Sequence, residues 1–189
     1  MNKKGKLFLL MGPSGVGKGT ATRHLRATQD NVFFPTSYTT RSMRQGEKDG
    51  ETYNFITKPE FEKMIKQDAF LEYQLVHKTN YYGTDKQTII DNINSGKVVL
   101  REMDLQGVQD VLSKQWPFEI KTIFITTDSW ETLEQRIRQR SEISEQELAN
   151  RKQSFQKEME YLEKADYVVY SIQGEIDEMI ESLISIINK

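Results

Sequence analysis

"KLFLLMGPSGVGKGTATRHL", Lys6 to Leu25, decides the fold. An apolar run, a glycine-rich turn carrying a lysine and a helix-forming stretch follow one another directly. The turn nearly matches G-x-x-x-x-G-K-[ST], a loop whose backbone N–H groups cradle phosphate. Gly12, Gly15 and Gly17 let those amides converge on an anion without a Cβ in the way, and the following helix N-terminus adds partial positive charge. Pro13, Ser14 and Val16 complete the loop, and Lys18 is expected to reach the β- and γ-phosphates of a bound nucleotide. A glycine-rich turn with an idle surface lysine is the blander reading, and the flanking strand and helix outweigh it. Gly19 stands where a Ser or Thr normally follows the lysine, removing a hydroxyl that binds Mg²⁺ in most such loops. Either Thr20 supplies an oxygen instead, or waters and phosphate oxygens hold the ion, because Mg²⁺ keeps much of its hydration shell.

Outward from this loop, short apolar runs alternate with amphipathic stretches, the pattern of an α/β chain with a parallel sheet. Strands are expected at residues 6–11, 98–103, 120–126 and 166–171, with a weaker one within 31–38. Cap-and-N3 spacing marks helix starts at Thr57/Glu60, Thr84/Gln87, Asp128/Glu131 and Ser144/Glu147. Apolar stripes at helical spacing (Ile89, Ile90, Ile93; Leu105, Val108, Leu112; Ile176, Ile180, Leu183, Ile187) predict core faces. Residues 37–84 and 138–152 break the alternation and read as insertions over a sheet edge, where ligand-contacting loops gather.

Composition narrows the classes. The 26 basic and 28 acidic side chains nearly cancel, so nothing pulls the chain generally toward nucleic acid or an anionic membrane. With no cysteine there is no disulfide, thiolate metal site or cysteine nucleophile. No apolar stretch nears the roughly 20 residues that span a bilayer, and "MNKKGKLFLLMG" lacks a secretory pattern. A cytoplasmic location is the default expectation.

Residues 37–53, "SYTTRSMRQGEKDGETY", carry Arg41 and Arg44 three apart with Tyr53 following, a donor set suited to a second phosphate. "FLEY" (70–73) and "NYYGT" (80–84) come next. Over nearly its whole length the chain resembles a guanylate kinase. The resemblance rests on S-x-T-T-R-x-x-R-x-G-E-x-D-G-x-x-Y-x-F from Ser37 to Phe55, on N-Y-Y-G-T, and on E-M-D-L-Q-G at 102–107. The G-K-G-T ending of the first loop is likewise similar to that of many nucleoside-monophosphate kinases. By this resemblance Arg41, Arg44, Tyr53 and Tyr82 hold the GMP phosphate, while Glu72, Ser37 and Thr84 read guanine. The chemistry agrees: a carboxylate accepts from guanine N1–H and N2–H, and hydroxyls donate to O6. Adenine, with an acceptor at N1, would leave a buried Glu72 unpaired.

Glu102 and Asp104 end a strand on one side, where ligands gather in open α/β sheets. By resemblance Asp104 lies near the nucleotide phosphates and metal, and Glu102 is a weaker candidate beside GMP. Capping of the next helix is the structural alternative for the pair. Arg136 and Arg140, four apart, share a helix face beside Trp130, Leu133 and Ile137. Arg151 interrupts the stripe Leu148, Phe155, Met159, Leu162, which is costly unless an anion meets it. The resemblance makes all three arginines close over the triphosphate, and Arg138 falls outside the pattern. Three departures from the family pattern are visible: the segment between Glu72 and Asn80 is one residue longer than the usual spacing, Ser141 replaces a glycine, and Ser171 replaces an asparagine that helps hold adenine.

The expected molecule is an α/β P-loop NTPase-type parallel sheet with helices on both faces. Its core comprises residues 1–36, 85–137 and 153–189, its GMP-binding insertion 37–84 and its lid 138–152. The expected reaction is Mg²⁺-dependent transfer of the ATP γ-phosphate to GMP, with dGMP acceptance open. Lys18, Arg41, Arg136, Arg140 and Arg151 do the electrostatic work; Thr20 and Asp104 are the metal candidates, directly or through water; Ser171 joins residues 12–20 at the ATP. Two alternatives stand beside this: a non-catalytic guanylate-kinase-like module that binds proteins, and a P-loop kinase for another monophosphate. A switch GTPase is disfavoured, since no N-K-x-D sequence is present.

Overall fold

Leu7–Met11 forms β1 with all five side chains buried, because helices cover both faces of the sheet in which it is the middle strand. The computed structural model describes residues 5–76, 78–140, 142–172 and 174–189. The main sheet has the order β2 (Val32–Phe33), β7 (Val98–Glu102), β1, β8 (Ile120–Thr126), β9 (Tyr167–Tyr170), and every pairing in it is parallel. Against one face lie α1 (Lys18–Thr28), α5 (Trp130–Arg140), α6 (Glu145–Met159) and α7 (Ile176–Ile187). Phe8, Leu10, Ile123 and Ile125 of the sheet meet Leu25, Leu133, Leu148 and Leu183 of these helices. Against the other face lie α3 (Lys86–Asn94) and α4 (Leu105–Leu112), packing on Leu7, Leu9, Val99 and Phe124. The fold is the expected α/β arrangement.

The region 37–84 contains more regular structure than its polar sequence suggested. A separate sheet runs β4 (Asn54–Phe55), β3 (Tyr38–Thr39), β6 (Asn80–Asp85), β5 (Phe70–Val76), with α2 (Lys58–Lys66) beside it. Phe61 of α2 stacks on both Phe70 and Tyr81, at centroid distances of 4.3 and 5.0 Å, and this aromatic cluster is the insertion's own core. The weak strand expected within 31–38 is two pieces belonging to different sheets, β2 and β3.

Several local readings shift. Thr57 and Glu60 form a full capping box, and Ser144 accepts from the Glu147 N–H. Thr84, in contrast, lies in β6, and Asp85 caps α3 by accepting from the Thr88 N–H. At α5 the cap is Ser129, whose Oγ accepts from the Thr132 N–H, while Asp128 is exposed. Val111 rather than Leu112 faces the core, and Ile176 is exposed at the start of α7. His77, Ser141 and Gln173 lie outside the described residues. No helix among the described residues is long and apolar enough to cross a membrane.

Candidate active site

The first loop leaves β1 through Gly12, whose φ of 137° only glycine adopts readily and where any Cβ would collide with the Ile125 carbonyl oxygen. The loop therefore presses directly on β8. Gly17, at φ 110°, turns the chain into α1. Lys18 Nζ donates to the carbonyls of Gly12 (2.5 Å) and Pro13 (3.0 Å), so its ammonium curls over the loop. Burial lowers the Lys18 pKa, and the nearby charges of Glu102, Glu158 and Asp104 oppose that shift. Val16 is fully buried, so its side chain serves the core and only its backbone is available to a ligand.

Two cavities open on either side of Lys18. One of about 560 Å³ is lined by Ser14, Gly15, Gly17, Lys18, Gly19, Thr20 and Arg140, with Arg23 and Glu102. Arg136 is anchored nearby, where both Nη atoms donate to Ser171, to its Oγ and its carbonyl, at 2.9 Å each. Ser171 Oγ in turn lies 3.6 Å from where a Gly17 Cβ would stand, so the end of β9 abuts the loop. Gly19 and Thr20 are exposed, and space around Gly19 is open.

The second cavity, also about 560 Å³, is bounded by Gly12, Lys18, Ser37, Tyr53, Tyr82, Arg101, Glu102, Asp104 and Glu158. It adjoins a side pocket of about 150 Å³ lined by Glu72, Gln74, Tyr82, Arg101, Glu102 and Asp104. Six residues expected to bind the second nucleotide thus line these two adjoining spaces: Ser37, Tyr53, Glu72, Tyr82, Glu102 and Asp104. Arg41 sits just behind the tyrosines, its guanidinium 5.4 Å from the Tyr53 ring centroid, and Tyr53 and Tyr82 meet edge to face at 5.6 Å. Glu47 holds Arg41 with two hydrogen bonds of 3.0 and 2.7 Å and also accepts from the Arg44 N–H. Those bonds, led by the one from Arg41, lower the Glu47 pKa.

The trio expected to read the base is packed tightly. Glu72 is 9% exposed and Thr84 fully buried, with Thr84 Oγ1 donating to Glu72 Oε1 at 2.6 Å. That bond uses the threonine proton, so Thr84 orients the carboxylate instead of donating to a base oxygen. The register pairs Glu72 directly with Thr84 and Gln74 with Tyr82, so the long connection between β5 and β6 leaves both positions in place.

Some expectations do not hold at the side-chain level. The Arg44 side chain is exposed, and only its backbone joins the Glu47 bond. Arg151 already has its anion, because Nη2 donates to Glu147 at 2.7 Å on an exposed face, so its position in the stripe does not demand a ligand. The stripe itself is shallow, with Leu148 alone buried in α6. Asp104 lies past the end of β7 and caps α4, its Oδ1 accepting from the Gly107 N–H at 2.8 Å and from Gln74 Nε2 at 3.1 Å. Capping and site-lining coexist there. Glu102 faces α1 and accepts from Thr22 Oγ1 at 3.4 Å.

Sequence reasoning missed Glu47, Arg101 and Glu158. Glu158 Oε2 is buried with no hydrogen-bond partner among the described residues. Burial raises its pKa, against the attraction of Lys18 and with the repulsion of Asp104. Its signal in the sequence was nil, since a glutamate in a charge-dense helix reads as solvated.

A sequence model of the guanylate kinase family matches residues 4–189. A guanylate kinase of Caldanaerobacter subterraneus subsp. tengcongensis is 40% identical over 187 residues, covering 99% of this chain and 88% of the relative. One from Synechocystis is 39% identical over 186 residues, covering 98% and 95%. The crystal structure of guanylate kinase from Anaplasma phagocytophilum superposes with a TM-score of 0.72 at 26% identity, covering 99% of this chain and 86% of that one.

Proposed function

Since the chain belongs to the guanylate kinase family and so transfers the γ-phosphate of ATP to GMP, we propose how its own residues divide that work. ATP lies along the loop of residues 12–20, with Lys18 turning from its loop carbonyls toward the β- and γ-phosphates. GMP occupies the cavity on the other side of Lys18, its phosphate on Arg41, Tyr53 and Tyr82 and its base on Ser37 and Glu72. One observation carries this reading: Lys18, Ser37, Tyr53 and Tyr82 line a single cavity, which adjoins the pocket of Glu72.

No side chain forms a covalent bond in such a transfer. Negative charge spreads over the phosphoryl oxygens in the transition state, and fixed cationic and N–H groups stabilise it. Lys18, the loop amides, Arg136 and Arg140 supply that field, and Ser171 orients Arg136 for it. Holding acceptor and donor phosphates in line supplies much of the remaining acceleration. Residues 37–84 and 138–152 act as the units that close on a core of 1–36, 85–137 and 153–189, excluding water. Arg44 and Arg151 join only by side-chain movement on closure, since both lie at the surface before it.

The carboxylates fit a loosely held Mg²⁺. Asp104 Oδ1 is occupied by two hydrogen bonds, and the described residues contain no group of three or more potential ligands arranged around one point. That donor set suits an ion carried by phosphate oxygens and waters, with Asp104 and Thr20 touching its outer shell. When bound, the ion neutralises developing charge on the phosphates.

A coupled assay of ADP formation from ATP, with GMP, dGMP, AMP and UMP in turn, tests the reading. GMP-dependent turnover is expected, and Lys18→Ala should lower kcat by about 10²–10³-fold while GMP still binds in calorimetry. Near-normal turnover in that variant would overturn the mechanism, and failure of the wild type to bind ATP would favour a non-catalytic module.

A further inference from the structure

Arg101 lies on β7, opposite Leu9 of β1, and reaches from the main sheet toward the insertion. Its side chain is only 20% exposed. Nη2 donates to Ser37 Oγ at 2.7 Å and lies 3.5 Å from Glu72 Oε1, while Nε is buried with no hydrogen-bond partner. A guanidinium has five N–H donors, and desolvating it with most of them unused is costly. Nη2 is the one nitrogen with a protein partner among the described residues. Arg101 also forms part of the wall of both the GMP-side cavity and the side pocket.

We propose that Arg101 is a base-contacting specificity residue, donating to the O6/N7 edge of the acceptor purine. The inference rests on the guanylate kinase reading of this cavity and adds a second edge of recognition to it. Ser37 Oγ accepts from Arg101, which leaves the serine O–H free to donate outward to a base oxygen. An O6 held by that hydroxyl is therefore a neighbour of the guanidinium, and N7 is the adjacent acceptor on the ring. Arginine pairs with that edge of guanine through two parallel bonds. Adenine presents an amino donor at the 6-position, so one arm of the fork would face another donor. Glu72 accepts from N1–H and N2–H, and because the carboxylate and the guanidinium lie 3.5 Å apart they would read adjoining stretches of the same base edge.

The competing role for Arg101 is that of counter-ion to the buried Glu72, with no contact to the base. Steady-state kinetics with GMP and 7-deaza-GMP, on wild type and Arg101→Met, separate the two. The analogue lacks only the N7 acceptor. Wild type should lose about tenfold in kcat/KM on the analogue, and the variant should lose about 10–100-fold on GMP. The variant should then treat GMP and the analogue alike, with the KM for ATP unchanged. An equal penalty for the analogue in both proteins, or none in wild type, would overturn the proposal and leave the kinase reading intact. Absence of any GMP turnover in wild type would instead sink the kinase reading and the proposal with it. Arg101→Lys keeps the charge beside Glu72 and loses the fork; it should fold even if the methionine variant does not, and should also lose the preference for N7.

Discussion

Arg41 shows how one residue's usefulness depends on its neighbour. Its guanidinium is held in two bonds by Glu47 and lies over the Tyr53 and Phe55 rings at 5.4 and 5.5 Å. With both partners largely out of solvent, 13% and 18% exposed, this pair fixes an orientation that an exposed ion pair would not. Glu47→Gln keeps the shape but gives up the charge and one of the paired acceptors. The expected result is a rise of about tenfold in the KM for GMP, with kcat and the KM for ATP little changed. Steady-state kinetics with GMP varied at saturating ATP checks it, and an unchanged KM would reduce Glu47 to a structural partner. Arg41 itself was legible from its spacing to Arg44 and Tyr53, because residue types suited to phosphate are recognisable. Glu47 and Arg101 were not, since which partner a charge finds depends on how the chain returns to it. The return from Ser37 to Arg101 spans 64 positions.

At the scale of elements, periodicity marked the strands and helices of the main sheet's layers but not the last residue of each. Thr84 and Asp85 both carry cap chemistry, and the difference between them is tertiary. Thr84 is fully buried with its hydroxyl on Glu72, so it stays in β6 and Asp85 takes the cap, accepting from Thr88 at 2.7 Å. Asp85→Ala should therefore destabilise the protein by about 1 kcal/mol, a fall in Tm of about 2–4 °C, and leave kcat/KM for GMP unchanged. A thermal melt and one kinetic comparison check it; loss of GMP selectivity without loss of Tm would return the cap to Thr84. The same ambiguity explains α4, where positions 111 and 112 both satisfy helical spacing after 108 and the packing against β1 selects Val111. The small sheet of the insertion was hidden for another reason. Its strands β3 and β4 have two residues each, too short to show alternation, and its core is a cluster of stacked aromatics rather than an apolar run.

For the whole molecule, α6 and the glycine loop of residues 12–20 are one electrostatic unit. Near its C-terminal end α6 delivers Glu158 into the cavity of Lys18, Glu102 and Asp104. Three carboxylates there oppose the burial that lowers the lysine's pKa. The cost falls on Glu158, whose pKa burial raises and whose Oε2 has no partner. A carboxyl whose pKa is higher in the folded chain binds its proton more tightly there than when unfolded. Its stabilising contribution is complete below the unfolded pKa and is lost as pH rises through the folded one. The carboxylate form of Glu158 therefore opposes the fold. Glu158→Gln, which cannot ionise, should melt about 2–4 °C above wild type near pH 7, for about 1 kcal/mol recovered. The gap should narrow as pH falls through the raised folded pKa and close below the ordinary carboxyl range, where Glu158 is protonated in both folded and unfolded chains. Melting curves of both proteins from about pH 4 to about pH 8 settle the matter. A gap independent of pH would show that the carboxylate charge is not what the fold opposes, and a variant less stable near neutrality would mean that the attraction between Lys18 and Glu158 exceeds the burial cost.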